Sequence, residues 1–295
     1  MTPRIISADM GHAALDWRGV MEAIRAGHDL PKGNIGDTFL ARGDDTVLSR
    51  AAFVDGLGVM VKTALIFPGT PLKGAVTLFS DADGSLEALI DFGLLTWWKT
   101  AADSLLAASL LAPPNVQNIT ILGAGTVARS MRDAYGAFFA DATFTFWNRT
   151  GAAANALAAG DEKARAEPSL EAAVRAGDIV VGATMTKTPI LQGDWLRPGQ
   201  HLDLIGAYKA DMREADDAAL QRSRIFVDSF ETTIGHIGEI EDPLSRGVIS
   251  RADILADYTQ LSAFKRAPDD ITLFKNGGGA HLDLMVARHI MDRLA

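Results

Sequence analysis

The stretch that most constrains this chain is 119–150, ITILGAGTVARSMRDAYGAFFADATFTFWNRT. Residues 119–122 form a short apolar, β-branched run of the kind that makes a buried strand. Gly123, Gly125 and Ala128 follow at once in a G-x-G-x-x-A arrangement. Gly123 permits the tight turn out of the strand, Gly125 lets a pyrophosphate approach the backbone, and Ala128 lets the next helix pack closely on the sheet. That helix opens near Thr126 and Val127, where unpaired N–H groups and a partial positive charge favour phosphate. A second strand over 143–147 ends in Asn148, Arg149 and Thr150. A binder of the non-phosphorylated nicotinamide cofactor usually carries Asp or Glu here, for the ribose 2′-OH. An arginine fork suits a 2′-phosphate. The expected cofactor is therefore NADPH, with NADH less favoured. The competing reading is a helix that begins with small residues for packing alone.

The alternation continues downstream. Helices are expected over 152–159 and 170–176, and strands over 178–183, 201–205 and 224–228, a pattern that implies a parallel sheet. Ligands of such sheets lie beyond the carboxyl ends of strands. Ala183, Thr184 and Met185 occupy that position after one strand, and Gly206, Ala207 and Tyr208 after another. Residues 267–280 read as a strand and then a glycine turn. Gly278 and its neighbours can approach a flat cofactor ring or simply form a flexible turn. A last helix follows over 281–294.

The N-terminal third reads differently. A helix over 14–28 has Asp16 as its cap. Strands fill 35–67, broken by turns at 43–45 and 56–58. A hairpin turn over 81–84 joins two short strands. The result is an α+β domain with a largely antiparallel sheet. An alanine- and leucine-rich helix over 94–111, with Thr96 as its expected cap, is stopped by Pro113 and Pro114.

A formal net charge of −9 gives no support to nucleic-acid or anionic-membrane binding. The absence of cysteine excludes disulfides, thiolate catalysis and cysteine-ligated metal. No apolar signal segment or span-length stretch is evident, so a cytoplasmic protein is expected. His236 and Glu239 have the spacing of ligands on one helical turn, but no third ligand accompanies them, and no metal is expected. Lys62, on an apolar strand after a glycine break, either faces solvent or holds a substrate carboxylate. Lys99, near the start of an apolar helix, carries the same two readings. Arg42 and Arg50 read first as turn and sheet-edge charges.

Several ordered blocks resemble the ornithine cyclodeaminase/μ-crystallin family over nearly the whole length: VKTALIFPG, LLTWWKTAADSLLAASLL, ILGAGTVARSM, GATMTKTPIL, LIGAYKADMREADDAAL, RIFVDSFETTIGHIGEI and ITLFKNGGGAHLDLMVA. Within the family these forms look most like bacterial reductases of cyclic ketimino acids. The resemblance implies a Rossmann-type α/β nucleotide domain, residues 113–271, inserted into an α+β substrate-binding and dimerisation domain made of residues 1–112 and 272–295. It also implies a homodimer formed through sheets of that second domain.

The resemblance further implies roles. Lys62 stands at the family's active-site lysine. Lys99 stands where many members have an arginine that grips the substrate carboxylate; the charge is kept and the fork is lost. Tyr208 stands where cyclodeaminases have a catalytic aspartate, which argues for simple imine reduction. A substrate-binding arginine upstream has Arg42 and Arg50 as its candidates. Two departures concern the pocket. Gly74 runs almost directly into the strand that begins at Ala75, where family members usually have about six more residues, and Thr70 replaces an asparagine. The implied activity is NADPH-dependent reduction of Δ1-pyrroline-2-carboxylate or Δ1-piperideine-2-carboxylate to L-proline or L-pipecolate. The alternatives are an ornithine cyclodeaminase or amino-acid dehydrogenase, and an NADP-binding protein with little catalysis.

Overall fold

The structure is a computed structural model and describes residues 2–294. The chain divides into two compact units. One contains residues 1–102 and 279–295, and the other residues 103–278.

The first unit starts with β1 (Arg4–Ile6), α1 (Ala8–Ala14) and α2 (Trp17–Gly27). The strands β2 (Asn34–Arg42), β3 (Asp45–Val54), β4 (Gly58–Ile66), β5 (Lys73–Phe79) and β6 (Leu86–Asp91) follow. They form a six-stranded sheet in the order β1-β6-β5-β4-β3-β2. Only β1, which joins β6 in parallel, departs from the antiparallel pattern. The α2 cap is Asp16, whose carboxylate accepts from Gly19 N at 2.8 Å. Val20, Met21 and Ile24 form the buried stripe of α2. A Cβ on Gly27 would lie 2.5 Å from Met285 Sδ, so this glycine allows α2 to meet the last helix closely.

The long helix α3 (Phe92–Leu111) begins before its expected cap, at Phe92, where a Thr96 cap would make Trp97 the first helical residue. Thr96 is inside it and donates to Phe92 O at 2.8 Å, while Asp91 Oδ1 accepts from Leu94 N at 2.7 Å. The aspartate takes the capping role because it precedes the first helical residue, where free N–H groups remain.

The second unit continues with β7 (Asn118–Leu122), α4 (Thr126–Phe138), β8 (Thr143–Trp147), α5 (Gly151–Ala158), β9 (Ala164–Ala166), α6 (Leu170–Ala176), β10 (Ile179–Gly182) and β11 (His201–Leu204). Then come α7 (Asp217–Gln221), β12 (Arg224–Val227), α8 (Phe230–Thr233), α9 (Gly238–Ser245), β13 (Ile254–Ala256) and β14 (Thr272–Lys275). All eight strands are parallel, in the order β13-β12-β14-β11-β10-β7-β8-β9. The order reverses between β7 and β10, the switch point at which open α/β sheets bind ligands. Ile119, Ile121, Val180, Val181, Leu202 and Leu204 are fully or almost fully buried, as a sheet covered on both faces requires. The chain closes with α10 (Ala280–Arg293), which returns to the first unit and packs on α2 and β3.

Candidate active site

Two groups of side chains stand out, one in each unit. In the second unit, Gly123 adopts φ +126°, and a Cβ there would lie 2.5 Å from Ala183 O. The turn thus needs glycine both for its conformation and for close approach to the β10 exit. Gly125 is different: a Cβ there would meet nothing within 4 Å. It is also the cap residue of α4 and supplies no side-chain hydrogen bond. The first N–H groups of this helix are therefore left for a ligand beside an open backbone, while Ala128 is fully buried against the sheet. This cradle fits a dinucleotide pyrophosphate, with Thr126 and Val127 on the opening turn.

The neighbouring loops are equally defined. Thr184 is part-buried, whereas Met185 is 76% exposed after β10. Tyr208 is 54% exposed after β11, with the Lys209 ammonium 5.4 Å from its ring centroid. Gly206 and Ala207 lie between them in a loop held by Glu214. The glycine run is a fixed turn. Gly277 N donates to Asp228 Oδ2 at 2.9 Å, Gly278 N donates to the same oxygen, and Gly278 has φ +72°. After β8, Asn148 Nδ2 bonds Thr150 O at 3.1 Å and Arg149 is exposed.

The second group belongs to the first unit. On β4, side chains two residues apart share a face. Met60 and Ala64 are buried, so Lys62 between them points to the same covered side. There its Nζ donates to Asp283 Oδ1 of α10 at 3.0 Å and lies 5.0 Å from the Phe92 ring centroid. Arg50 is opposite Lys62 in the β3–β4 register. It pairs with Asp37 at 2.7 Å and reaches within 4.0 Å of Asp283 Oδ2. Lys99, only 5% exposed, adds its charge to the same cluster.

Burial pushes the Lys62 amine below the ordinary lysine value; Asp283 opposes that shift, and Lys99 and Arg50 reinforce it. Burial by itself would raise the Asp283 carboxyl, but Lys62, Lys99 and Arg50 outweigh it and hold the group low. Burial, then His28 and Lys99, push His281 down to about 3, so its ring is neutral near neutral pH. The result is three cations around one buried carboxylate, with Asp37 outside on Arg50. Such a group has positive charge to offer an incoming carboxylate.

Arg42 is not part of this cluster. It pairs with Asp45 at 2.7 Å beside the β2–β3 turn, with its side chain 84% exposed. The connection before Gly74 is the turn 67–72 of the β4–β5 hairpin. Asp283 and Glu214 escaped the sequence reading because their partners lie far away in the chain. The available signal for Asp283 was a carboxylate between Leu282 and Leu284 on a helix that is otherwise buried there. His236 is exposed and Glu239 is buried on the backbone amides of Glu214 and Ala215. Among the described residues no group of three or more His, Asp or Glu side chains is placed to hold a metal ion. No helix among them is long and apolar enough to cross a membrane.

The strand order and the glycine cradle define a Rossmann-type dinucleotide-binding protein whose nucleotide unit is inserted into an α+β unit. The chain belongs to the ornithine cyclodeaminase/mu-crystallin family, whose model matches residues 68–295. It is 45% identical over 303 residues to the Delta(1)-pyrroline-2-carboxylate reductase of Paracoccus denitrificans, covering 98% of this chain and 96% of that one. Among solved structures, the Delta(1)-pyrroline-2-carboxylate reductase of Thermococcus litoralis in complex with NADH and L-proline superposes with a TM-score of 0.90 at 22% identity, covering 98% and 97% of the two chains. An archaeal alanine dehydrogenase dimer with bound NAD also gives 0.90, at 24% identity and 99% and 96% coverage.

These structures correct the expectation of NADPH: the cofactors they carry are NADH and NAD. The physical reason lies in Arg149. An exposed guanidinium has donors for neutral ribose hydroxyls as well as for a phosphate, so an arginine after this strand does not by itself select the phosphorylated cofactor.

Proposed function

We propose that this chain reduces a cyclic ketimino acid of the Δ1-pyrroline-2-carboxylate class to the corresponding cyclic amino acid, with NADH as reductant. The observation that carries the substrate class is the end-to-end likeness to the Paracoccus denitrificans reductase. The buried cation cluster at Lys62 supports it, because such a substrate brings one carboxylate next to its C=N bond.

The Gly123–Gly125 turn, Thr126 and Val127 hold the pyrophosphate, and Asn148, Arg149 and Thr150 lie toward the adenosine ribose. The exits of β10 and β11, from Ala183 to Met185 and at Gly206 and Ala207, serve the nicotinamide half, with Gly278. When bound, the nicotinamide supplies a hydride to the imine carbon. Lys62, Lys99 and Arg50 receive the substrate carboxylate, and Asp283 fixes the Lys62 amine in one direction. Tyr208 offers no carboxylate for activating water, which favours imine reduction over cyclodeamination. Positioning and charge complementarity are the chain's main contribution to rate.

Substrate binding and dimerisation are assigned to the first unit and nucleotide binding to the second. A homodimer is supported by β2, an edge strand that is exposed along most of its length. Phe39 and Leu40 on it are 64% and 65% exposed, an apolar edge that calls for a partner. Sedimentation of the Phe39→Glu, Leu40→Glu protein at monomer mass, with the native chain at dimer mass, supports this assembly; equal masses refute it. A cytoplasmic location accords with a chain that has no cysteine.

The activity is tested by following NADH consumption with both cyclic imines, and NAD reduction with ornithine and with alanine. Turnover of a cyclic imine without ammonia release supports the proposal. Ammonia release from ornithine or alanine, with no imine turnover, refutes it.

A further inference from the structure

Glu214 lies outside every regular element, yet its carboxylate collects four donors. Oε1 accepts from Thr184 N at 2.8 Å and from Thr184 Oγ1 at 2.7 Å. Oε2 accepts from Gly206 N at 2.6 Å and Ala207 N at 3.3 Å. One oxygen thus serves the chain leaving β10 and the other the chain leaving β11. The two exits also touch directly: a Cβ on Gly206 would lie 1.9 Å from Thr184 O. Gly182 leaves room for the carboxylate itself, since a Cβ there would lie 2.9 Å from Glu214 Oε1.

The residue is held from behind. Glu239 accepts from Glu214 N at 2.7 Å and from Ala215 N at 3.0 Å. Glu214 O accepts from Ile190 N and Leu191 N, both at 2.9 Å. Nearby, the buried Lys275 ammonium donates to Leu204 O and Asn276 O and supplies positive charge toward Glu214 and Glu239. Glu214 is 1% exposed and all its acceptor directions are engaged. It is therefore placed to act through the loops and not by touching a ligand.

We infer that Glu214 is a positioning residue for the dinucleotide, clamping the exits of β10 and β11 into the one shape that accepts the cofactor. The inference rests on the cofactor role proposed above. Backbone N–H groups bonded to a carboxylate are held by stronger bonds than neutral pairs give. The clamp fixes the peptide planes at 184, 206 and 207 before any ligand arrives, which lowers the ordering cost of binding.

Glu214→Gln keeps the size but turns one acceptor oxygen into a donor that faces N–H groups. Calorimetry with NADH alone should show Kd raised roughly tenfold or more, while the Michaelis constant for the imine stays at the native value. In the cofactor-free protein, hydrogen exchange should accelerate at amides 184, 206 and 207 and remain slow at Val180 and Leu202. Thr184→Val removes one donor and leaves the carboxylate; its NADH Kd should rise roughly threefold, the size of one modest hydrogen bond. A folded Glu214→Gln protein with native Kd and native exchange at those amides overturns the inference. If that variant does not fold, Thr184→Val with native Kd and native exchange at 206 and 207 overturns it. A chain that binds NADH but reduces no imine refutes the proposed reaction and leaves the clamp standing. If the native chain binds no NADH, the inference falls together with the cofactor role on which it rests, whatever the exchange rates show.

Discussion

Replacing Asp283 by asparagine keeps the shape of the side chain and removes the only carboxylate that touches Lys62 among the described residues. The side chains are 2% and 12% exposed, so the pair is largely shielded from water. Breaking a buried pair from one side costs about 3–5 kcal/mol. The low end applies, because Lys62 keeps some solvent and the face of the Phe92 ring. For a chain of this size, a loss of about 3 kcal/mol lowers Tm by roughly 6–12 °C.

The acid side of the stability profile has a defined sign. The Asp283 carboxyl is held below its ordinary 3.8 in the folded protein. Its stabilisation is present above that value and is lost as pH falls through the lower folded one. Asp283→Asn should lack this loss. The basic side gives the sharper test. Asp283 raises the Lys62 pKa against the effect of burial, so its removal must lower that pKa further. In a pH profile of kcat/KM for the imine, the basic limb should move to lower pH in Asp283→Asn and vanish in Lys62→Met. A basic limb that stays in place or moves up would refute this account of the cluster.

Other outcomes follow from the same geometry. Lys62→Met should lower kcat/KM for the imine roughly 100-fold, the scale of a lost charge-assisted contact, with NADH affinity by calorimetry unchanged; native kcat/KM would contradict it. Gly125→Ser should leave Tm close to native, since nothing lies within 4 Å of its Cβ position and serine is a favoured helix cap, and should raise the Kd for NADH roughly tenfold by filling the phosphate approach. Gly206→Ala should instead lower Tm, because its Cβ would meet Thr184 O at 1.9 Å. Tyr135→Phe removes the donor to buried Asp203 at 2.6 Å, which should cost about 1–3 kcal/mol in denaturant unfolding. Burial raises Asp203 to about 6, and Tyr135 and Ser104 oppose that rise. The penalty in Tyr135→Phe should therefore grow as pH rises through 6 and the carboxylate ionises.

Much of this molecule was legible because its signals are local. The glycine turn, the β7–β8 unit, the Asp16 cap and the hairpins each depend on a few adjacent residues, and each forms where those residues stand. The short β1 and α1 had no such signal: three strand residues and a seven-residue helix are too brief to show a period. Thr96 illustrates competition between two plausible caps, decided by where the helix begins. The supports of the two site groups were invisible for a different reason. Lys62 and Asp283 are 221 residues apart, and Glu214 is 30 residues from Thr184. Such pairs exist only once the sheets and α10 are assembled. Arg149 marks the opposite limit: its place just beyond the end of β8 is plain from the neighbouring residues, but its chemistry does not distinguish a hydroxyl from a phosphate.

The most direct test of the central claim is the fate of the hydrogen. NADH carrying deuterium at both C4 positions should be consumed one-for-one with Δ1-pyrroline-2-carboxylate, and mass spectrometry should find proline with one deuterium on its α-carbon. Unlabelled proline, or NADH left unconsumed by a protein that binds it, would contradict the proposed reduction.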